Sequence, residues 1–169
     1  DYYLNPRDPA DGGNHNHKAF SVLISGDTIW AGTANGINRG LVVNEWRETS
    51  PGNFQLFDCI EWEHYSYPND NLTGNFVVGL AKQVWNGLTT IWAATINADT
   101  PGEMRGLSYT RDGGSTWETT LHGERVYNIT AHDSIVLASS QAGLWKSHDG
   151  ENWACLLYTS DAADEKVRG

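Results

Sequence analysis

The sequence predicts an all-β fold built from repeated four-stranded antiparallel units, and three observations support this prediction. Runs rich in β-branched and aromatic residues alternate with Gly, Asn and Asp pairs, which is the pattern of short strands joined by tight turns. No stretch shows a convincing helical period flanked by capping residues. The eight tryptophans among the 169 residues recur at regular positions, as expected of a repeated unit.

Length and composition favour one globular domain. The chain is 39% hydrophobic, and its 18 glycines raise the apolar-plus-glycine share to about half, the globular norm. No apolar run approaches ~18 residues, so we expect no membrane span. The net charge of −10 repels phosphate backbones and argues against nucleic acid as a partner. Two cysteines, Cys59 and Cys155, are too few for a disulfide scaffold or a thiolate zinc site, and we expect no metal or other cofactor.

Three segments of the chain align with one another. Each reads as strand, tight turn, strand, glycine turn and strand, with turn residues between the apolar runs. The second strands of the three units span residues 28–33, 90–95 and 134–139. This alignment places Trp30, Trp92 and Val136 at one position of the repeat.

The spacing of the repeats predicts the architecture. The glycine turns at Gly36, Gly106 and Gly143 lie 70 and 37 residues apart. The longer interval is either two repeats or one repeat with long loops. We favour one repeat, because residues 44–75 offer only one further good strand, at 54–61. Units of ~40–50 residues with four short strands are typical of β-propeller blades.

We therefore predict about three four-stranded blades cut from a larger β-propeller. Closed propellers have about four to eight blades, so this chain alone should form an open arc whose exposed blade faces favour aggregation. The remaining blades of a longer protein would be its neighbours. The predicted order is an N-terminal loop or partial blade at 1–18, a divergent first blade at 19–61, an inter-blade loop at 62–75, a second blade at 76–122, a third blade at 124–155, and a tail at 156–169.

One motif recurs at the end of the second and third units. It follows the pattern [Ser/Thr]-x-Asp-x-Gly-x-Thr-Trp, and the second copy is one residue shorter. Its residues are Thr110, Asp112, Gly114 and Trp117 in one copy and Ser147, Asp149, Gly150 and Trp153 in the other. The motif resembles the Asp-box, or BNR, repeat of sialidase-like and sortilin-like propellers. Residues 29–37 resemble two-component-regulator propellers, and the likeness covers about residues 19–155, although the first unit lacks the box.

The resemblance implies a structural role for each box, between the third and fourth strands of a blade and away from any active site. Asp112 and Asp149 would accept backbone N–H groups of the turn, and the glycines would supply backbone angles that a β-carbon forbids. Trp117 and Trp153 would pack beneath the turn. The weaker alternative makes one aspartate a catalytic carboxylate or a calcium ligand.

The resemblance also implies a non-catalytic module that binds a protein or a carbohydrate, in a sensor or surface protein that is extracellular or periplasmic. The alternative function is that of a glycoside hydrolase fragment, sialidase-like or xyloglucan-cleaving. A sialidase needs several arginines to hold the substrate carboxylate, and arginines are scarce here. A third possibility is a structural spacer in a large surface protein.

The candidate binding site lies in the segment 61–70. Long loops on a rigid scaffold concentrate function, and this one places aromatic rings beside carboxylates, a combination suited to sugar rings. Its residues are Glu61, Trp62, Glu63, Tyr65 and Tyr67. The alternative is that the aromatic side chains pack between adjacent blades, which we favour for Trp62. Glycoside hydrolysis needs carboxyl groups across a cleft, so the neighbours Glu61 and Glu63 alone do not predict catalysis.

Both ends of the chain carry separate expectations. No charged segment followed by an apolar one precedes the fold, so we expect no signal peptide here and an internal piece of a longer protein. Residues 155–165 resemble the translation of a transposase-type sequencing adaptor read in frame. We interpret roughly the last fifteen residues as a cloning or assembly artefact; the alternative is an ordinary acidic tail.

Overall fold

The fold is described from a computed structural model, which covers residues 16, 18–98 and 100–158, without the side chains of residues 157 and 158. This part of the chain contains twelve strands and no helix. The strands are β1 (Ala19–Ser25), β2 (Thr28–Thr33), β3 (Gly36–Ser50), β4 (Asn53–Tyr65), β5 (Phe76–Trp85), β6 (Leu88–Ile96), β7 (Gly106–Thr110), β8 (Glu118–Thr120), β9 (Val126–His132), β10 (Ile135–Ser140), β11 (Gly143–Ser147) and β12 (Trp153–Tyr158).

The strands form three four-stranded antiparallel sheets, each in chain order, which we number I (β1–β4), II (β5–β8) and III (β9–β12). None of the sheets closes on itself. The predicted all-β class and the open, partial β-propeller-like arrangement are thereby confirmed. Most of the predicted N-terminal segment 1–18 and most of the tail 156–169 lie outside the described residues, although β12 continues through residues 156–158.

The pairing registers make the sheets equivalent residue by residue. On the second and third strands Trp30 lies opposite Arg39, Trp92 opposite Tyr109, and Leu137 opposite Lys146. In each sheet the third-strand residue stands three places after the glycine of the predicted turn.

The sequence alignment of the third unit is wrong by one residue, because Leu137 and not Val136 stands at the tryptophan position. The cause is the turn before β10, where Asp133 has a φ of 48° and the strand begins at Ile135. A slip of one residue exchanges the two faces of a strand, so this correction decides which side chains meet the neighbouring sheet.

The hydrophobic core lies between the sheets. We call the face of a sheet toward the next sheet along the chain its front face, and the opposite face its rear face. Trp30 and Ile37 on the front face of sheet I pack with Ile91 and Ala93 on the rear face of sheet II. A second cluster joins the front face of sheet II to the rear face of sheet III through Trp92, Leu107, Val136 and Ala138.

The same aromatic contact recurs at both sheet interfaces. The ring of Trp30 meets that of Trp117 edge-on, with centroids 6.0 Å apart. Trp92 meets Trp153 in the same way at 6.4 Å. In each case a second-strand tryptophan packs against the tryptophan that precedes or begins the fourth strand of the next sheet. Edge-to-face pairs add about 0.5–1.5 kcal/mol beyond the area that they bury.

Strands β3 and β4 are much longer than the others. Pairing between β2 and β3 ends where Thr28 meets Leu41, so from residue 42 to residue 60 the two strands pair only with each other. We call this part the hairpin extension. Its tip is a Pro51-Gly52 turn in which Gly52 has a φ of 78°, as a two-residue turn with glycine at the second place requires.

The segment predicted as an inter-blade loop, 62–75, differs from that prediction at its start, and residues 66–75 connect β4 to β5. Residues 62–65 belong to β4. Further on, Leu72 is buried in the cluster between sheets I and II, and the backbone N–H of Thr73 donates to Ser108 Oγ at 3.0 Å. The second half of the segment therefore packs between two sheets, through the apolar side chain of Leu72 and the hydrogen bond of Thr73. Its Leu-Thr pair carried no periodic signal that could have shown this.

Gly150→Ala should destabilise the fold more than Gly87→Ala. Both glycines have positive φ, 83° and 75°, so both substitutions carry the left-handed strain of about 1–2 kcal/mol. A Cβ on Gly150 would lie 2.5 Å from Trp92 Cη2, whereas none of the described atoms lies within 4 Å of a Cβ on Gly87. Overpacking adds roughly 1–3 kcal/mol. Urea unfolding of both variants measures the difference, and equal midpoints would contradict the close packing of this turn on the preceding sheet.

Candidate functional site

The turn between β7 and β8 is the first box, and its polar groups satisfy one another. Thr110 Oγ1 donates to Asp112 Oδ1 at 2.8 Å and accepts the N–H of Gly114 at 2.9 Å. Asp112 also accepts the N–H of Thr116 at 2.9 Å and its hydroxyl at 2.6 Å. Thr110 is buried, whereas Asp112 lies at the surface. Asp112 thus binds the outer part of the turn, at Thr116, while Thr110 binds the part next to the sheet, at Gly114.

The turn between β11 and β12 repeats this arrangement with different side chains. Ser147 Oγ donates to Asp149 Oδ1 at 3.0 Å and accepts the N–H of Gly150 at 2.9 Å. Asp149 accepts the N–H groups of Glu151 and Asn152 at 2.9 and 2.8 Å, and Asn152 Nδ2 at 2.7 Å. The shorter second motif therefore keeps the same arrangement with an amide in place of the threonine hydroxyl, and its aspartate accepts one further backbone N–H.

The electrostatics of both boxes follow from these hydrogen bonds. The side chain and backbone of Thr116 lower the pKa of Asp112 to about 2. Asn152 and the N–H of Glu151 lower the pKa of Asp149 well below its usual range. A general acid must carry a proton near neutral pH, and these carboxylates do not. Their geometry suits a structural turn.

The glycine of each box also packs closely on an aromatic side chain of the preceding sheet. A Cβ on Gly114 would lie 2.5 Å from Tyr65 Oη, and Gly150 stands equally close to Trp92. Glycine is therefore required here both by the positive φ and by the absence of room for a side chain.

Among the candidate binding residues, Tyr65 and Glu63 lie together with an arginine that the sequence reading did not include. Tyr65 Oη donates to Glu63 Oε2 at 2.7 Å, and Arg39 Nη1 donates to the same oxygen at 2.7 Å. These two donors lower the pKa of Glu63. Burial and the neighbouring Glu63 raise the pKa of Tyr65 to about 12. The buried phenol therefore stays protonated as a hydrogen-bond donor, a state opposite to that of an activated nucleophile.

Glu61 lies on the same face of β4 as Glu63 and Tyr65, whereas Trp62 lies on the opposite face. Trp62 is 54% exposed on the rear face of sheet I, where no described sheet packs, so its packing between two blades stays a prediction. Tyr67 is half-buried, and its backbone N–H donates to Asn75 Oδ1 at 2.7 Å. The five residues thus form no single pocket.

The two long loops meet at the edge of sheet II. Asn75 Nδ2 donates to Glu103 Oε1 at 2.6 Å, and the other carboxylate oxygen of Glu103 accepts the N–H of Ala98. Met104 donates its N–H to the carbonyl of Thr73 at 2.7 Å. These hydrogen bonds join the two loops to each other and fix the connection between sheets I and II.

Sequence reasoning missed a polar cleft between sheets II and III. Its volume is about 310 Å³, and it is lined by Arg105, Gly123, Glu124, Arg125, Gln141 and Ala142. The only sequence signal is that each arginine directly precedes a strand, Arg105 before β7 and Arg125 before β9. Glu124 Oε2 accepts the Ser140 hydroxyl at 3.0 Å.

The hairpin extension exposes large apolar side chains. On the face that continues the rear face of sheet I they are Val42, Trp46, Phe54, Leu56 and Ile60. Trp46 lies opposite Leu56 on the paired strands. On this face the Asn44–Asp58 pair lies between the pairs Val42–Ile60 and Trp46–Leu56. Exposed apolar side chains in this number mark an interaction surface in soluble proteins. The sequence alone did not indicate this exposed surface, because alternating apolar residues on a strand are typical of a buried face.

Within the residues that the structure describes, no group of three or more His, Cys, Asp or Glu side chains is placed to hold a metal ion. In the same part of the chain, no helix has the length and apolar character needed to cross a membrane.

Comparison with known proteins adds no relative. No protein-family model matches the chain, and neither curated proteins nor solved structures give a match.

The stabilising effect of the Asp112 carboxylate should depend on pH. Its pKa in the fold is about 2 against an ordinary value of 3.8, so its contribution to stability is present above pH ~4 and is lost as the pH falls toward 2. Wild type should therefore have a higher Tm than Asp112→Asn at pH 7, and the gap should be clearly smaller at pH 2.5. Thermal unfolding followed by circular dichroism measures both.

Asp27→Asn, in the exposed turn between β1 and β2, is the matched control and should follow wild type at both pH values. A gap between wild type and Asp112→Asn that stays constant from pH 7 to pH 2.5 would show that the carboxylate charge does not hold the turn.

Proposed function

We propose that this chain is a non-catalytic, Asp-box β-propeller module that binds a protein through its hairpin extension. The observation that carries the proposal is the exposure of the extension, where Trp46 is 68% and Phe54 60% exposed. An isolated two-stranded hairpin is marginally stable in water, so a hairpin with this much apolar surface gains stability from a partner.

The Asp-box assignment is supported by the equivalence of the two turns. Both connect the third and fourth strands of a sheet, and both use a buried hydroxyl, an aspartate and a glycine in the same hydrogen-bonding order. The resemblance places such modules in extracellular or periplasmic proteins, and we extend that localisation to this chain as part of the proposal.

A protein partner is favoured over a carbohydrate by the chemistry of the exposed surface. Sugar rings stack on aromatic faces, whereas Val42, Leu56 and Ile60 are aliphatic and offer no such face. The tyrosine that would serve a sugar best, Tyr65, is buried beneath the first box. Aliphatic and aromatic side chains together suit an apolar protein surface.

The charge around the extension defines the partner further. Glu45, Glu48 and Asp58 accompany a single cation, Arg47, whose guanidinium is paired with Glu45 at 2.9 Å. The whole chain carries a net charge of −10. The expected partner surface is therefore apolar, with basic groups that face Glu48 and Asp58, because complementary charge steers association.

The way in which three acids of the boxes and the candidate site are held supports a binding role over the glycoside hydrolase alternative. Asp112 and Asp149 are held as turn acceptors, and Glu63 is held by Tyr65 and Arg39. Hydrolysis requires one protonated and one ionised carboxyl group facing each other across a cleft. Each of these three acids has a lowered pKa and a structural partner.

Selection from a displayed peptide library on the immobilised chain tests the proposal. We expect enriched peptides that combine apolar residues with Lys or Arg. Binding of a selected peptide, measured by fluorescence anisotropy, should weaken at least about tenfold in Trp46→Ser/Leu56→Ser, which corresponds to about 1.4 kcal/mol.

Trp85→Ser/Leu88→Ser removes exposed apolar side chains from the β5–β6 hairpin and is the matched control; its peptide affinity should equal that of wild type. Peptide affinity that survives the Trp46→Ser/Leu56→Ser change, or binding to a glycan array in place of peptides, would overturn the protein-binding role.

A further inference from the structure

Strand β4 forms one edge of sheet I, and it is the longest edge strand among the described residues. It has 13 residues, whereas β8 and β12, which end sheets II and III in the same way, have three and six. An open sheet edge presents unpaired N–H and C=O groups, and natural proteins protect such edges with short strands, Lys or Pro. Strand β4 is long and contains neither Lys nor Pro, so its edge remains able to accept another strand.

The pairing registers show which backbone groups of β4 point outward. The N–H of Val42 donates to the carbonyl of Asp27 at 2.9 Å, so the even-numbered residues of β3 direct their backbone groups away from β4. Each of them lies opposite an even-numbered residue of β4, as Val42 lies opposite Ile60. Within the hairpin extension, the residues of β4 whose N–H and C=O groups face outward are Phe54, Leu56, Asp58 and Ile60. No described strand lies beside them.

The same residues of β4 carry much of the exposed apolar surface of the extension. Phe54, Leu56 and Ile60 are exposed on one face of the hairpin. A strand added at the edge would lie about 4.8 Å from β4, and its side chains would stand beside those of β4 on each face. Apolar residues at alternate positions of the added strand would therefore cover these three side chains while its backbone pairs with the edge.

The charges of β4 distinguish a different protein from a second copy of this chain. Strand β4 contains Asp58, Glu61 and Glu63 but neither Lys nor Arg. Pairing of two β4 edges would bring the acids of both copies onto adjacent strands with no Lys or Arg to compensate them, and like charges on paired strands are destabilising. A strand with Lys or Arg would meet the same carboxylates with opposite charge. The charges therefore favour a basic strand from another protein.

We propose that the partner adds one extended strand to the β4 edge of the hairpin extension, along residues 54–60. The added strand has apolar residues at alternate positions and Lys or Arg beside Asp58. In such an arrangement the main-chain hydrogen bonds give affinity, and the alternate side chains give specificity. The inference rests on the proposed protein-binding function and specifies the form of the partner as a strand.

N-methylation of the selected peptide, one residue at a time, tests the pairing. The N–H groups of a strand alternate between its two edges. Methylation should therefore lower the affinity at least about tenfold at every second residue that pairs with β4, and less than about twofold at the residues between them. Fluorescence anisotropy against the full chain measures the affinity of each peptide.

The scan separates this inference from the proposed function. A peptide whose binding depends on Trp46 and Leu56, but whose methylation losses show no alternation, would refute strand addition and leave the protein-binding role intact. Binding that is insensitive to Trp46→Ser/Leu56→Ser would overturn both. The scan uses the unaltered protein, so it decides the inference even where a substitution in the hairpin impairs folding.

Proline substitutions in the protein identify the edge that is used. Asn44 and Asp58 lie opposite each other, and the N–H of each points outward at its own edge of the hairpin. A proline at such a position removes the outward N–H and leaves the β3–β4 hydrogen bonds in place. Asp58→Pro should weaken binding of the selected peptide at least about tenfold, whereas the matched Asn44→Pro should change it less than about twofold.

Asp58→Asn separates the carboxylate charge from the backbone group, and its loss of affinity should be smaller than that of Asp58→Pro. Urea unfolding should give similar midpoints for Asn44→Pro and Asp58→Pro, which shows that the two prolines affect the hairpin equally. Equal losses of affinity in those two variants, or in Asp58→Asn and Asp58→Pro, would overturn strand addition at the β4 edge.

Discussion

The packing of a second-strand tryptophan against the box tryptophan of the next sheet is the contact on which the rest of the fold depends. Trp30 and Trp92 are 2% and 1% exposed, and each meets its partner ring edge-on. A four-stranded sheet of this size cannot bury its own apolar face, because that face needs a second layer. The repeated contact supplies the layer and sets the spacing between sheets, so the burial of Ile37 and Leu107 follows from it.

The boxes explain why this contact can repeat with fixed geometry. In each box a buried hydroxyl, Thr110 or Ser147, ties the turn to the sheet, and an ionised aspartate satisfies the N–H groups on the outer side. The turn is therefore rigid where it touches the aromatic side chain of the preceding sheet. This arrangement explains why the most recognisable acids of the sequence, Asp112 and Asp149, serve as acceptors within turns.

The sequence predicted the architecture because the repeat contains residue types that depend on local backbone geometry. Tryptophan, aspartate and glycine at fixed spacing mark a turn and its packing partner, and two such turns suffice to define the sheets. The register of the third sheet was not predictable in this way, since whether β10 begins at Ser134 or Ile135 depends on a left-handed backbone at Asp133. The roles of Tyr65 and Trp62 also escaped, because residues three apart on a strand lie on opposite faces, one covered and one open. Composition alone cannot tell those two faces apart.

A double-mutant cycle on Trp30 and Trp117 tests the central contact most directly. The two rings belong to different sheets, and their centroids are 6.0 Å apart. The free energies of unfolding of Trp30→Ala, Trp117→Ala and the double variant should reveal a coupling of about 0.5–1.5 kcal/mol, with the double variant less destabilised than the sum of the single changes. Strictly additive losses would contradict the account, because they would mean that the two tryptophans stabilise their own sheets independently and do not join one sheet to the next.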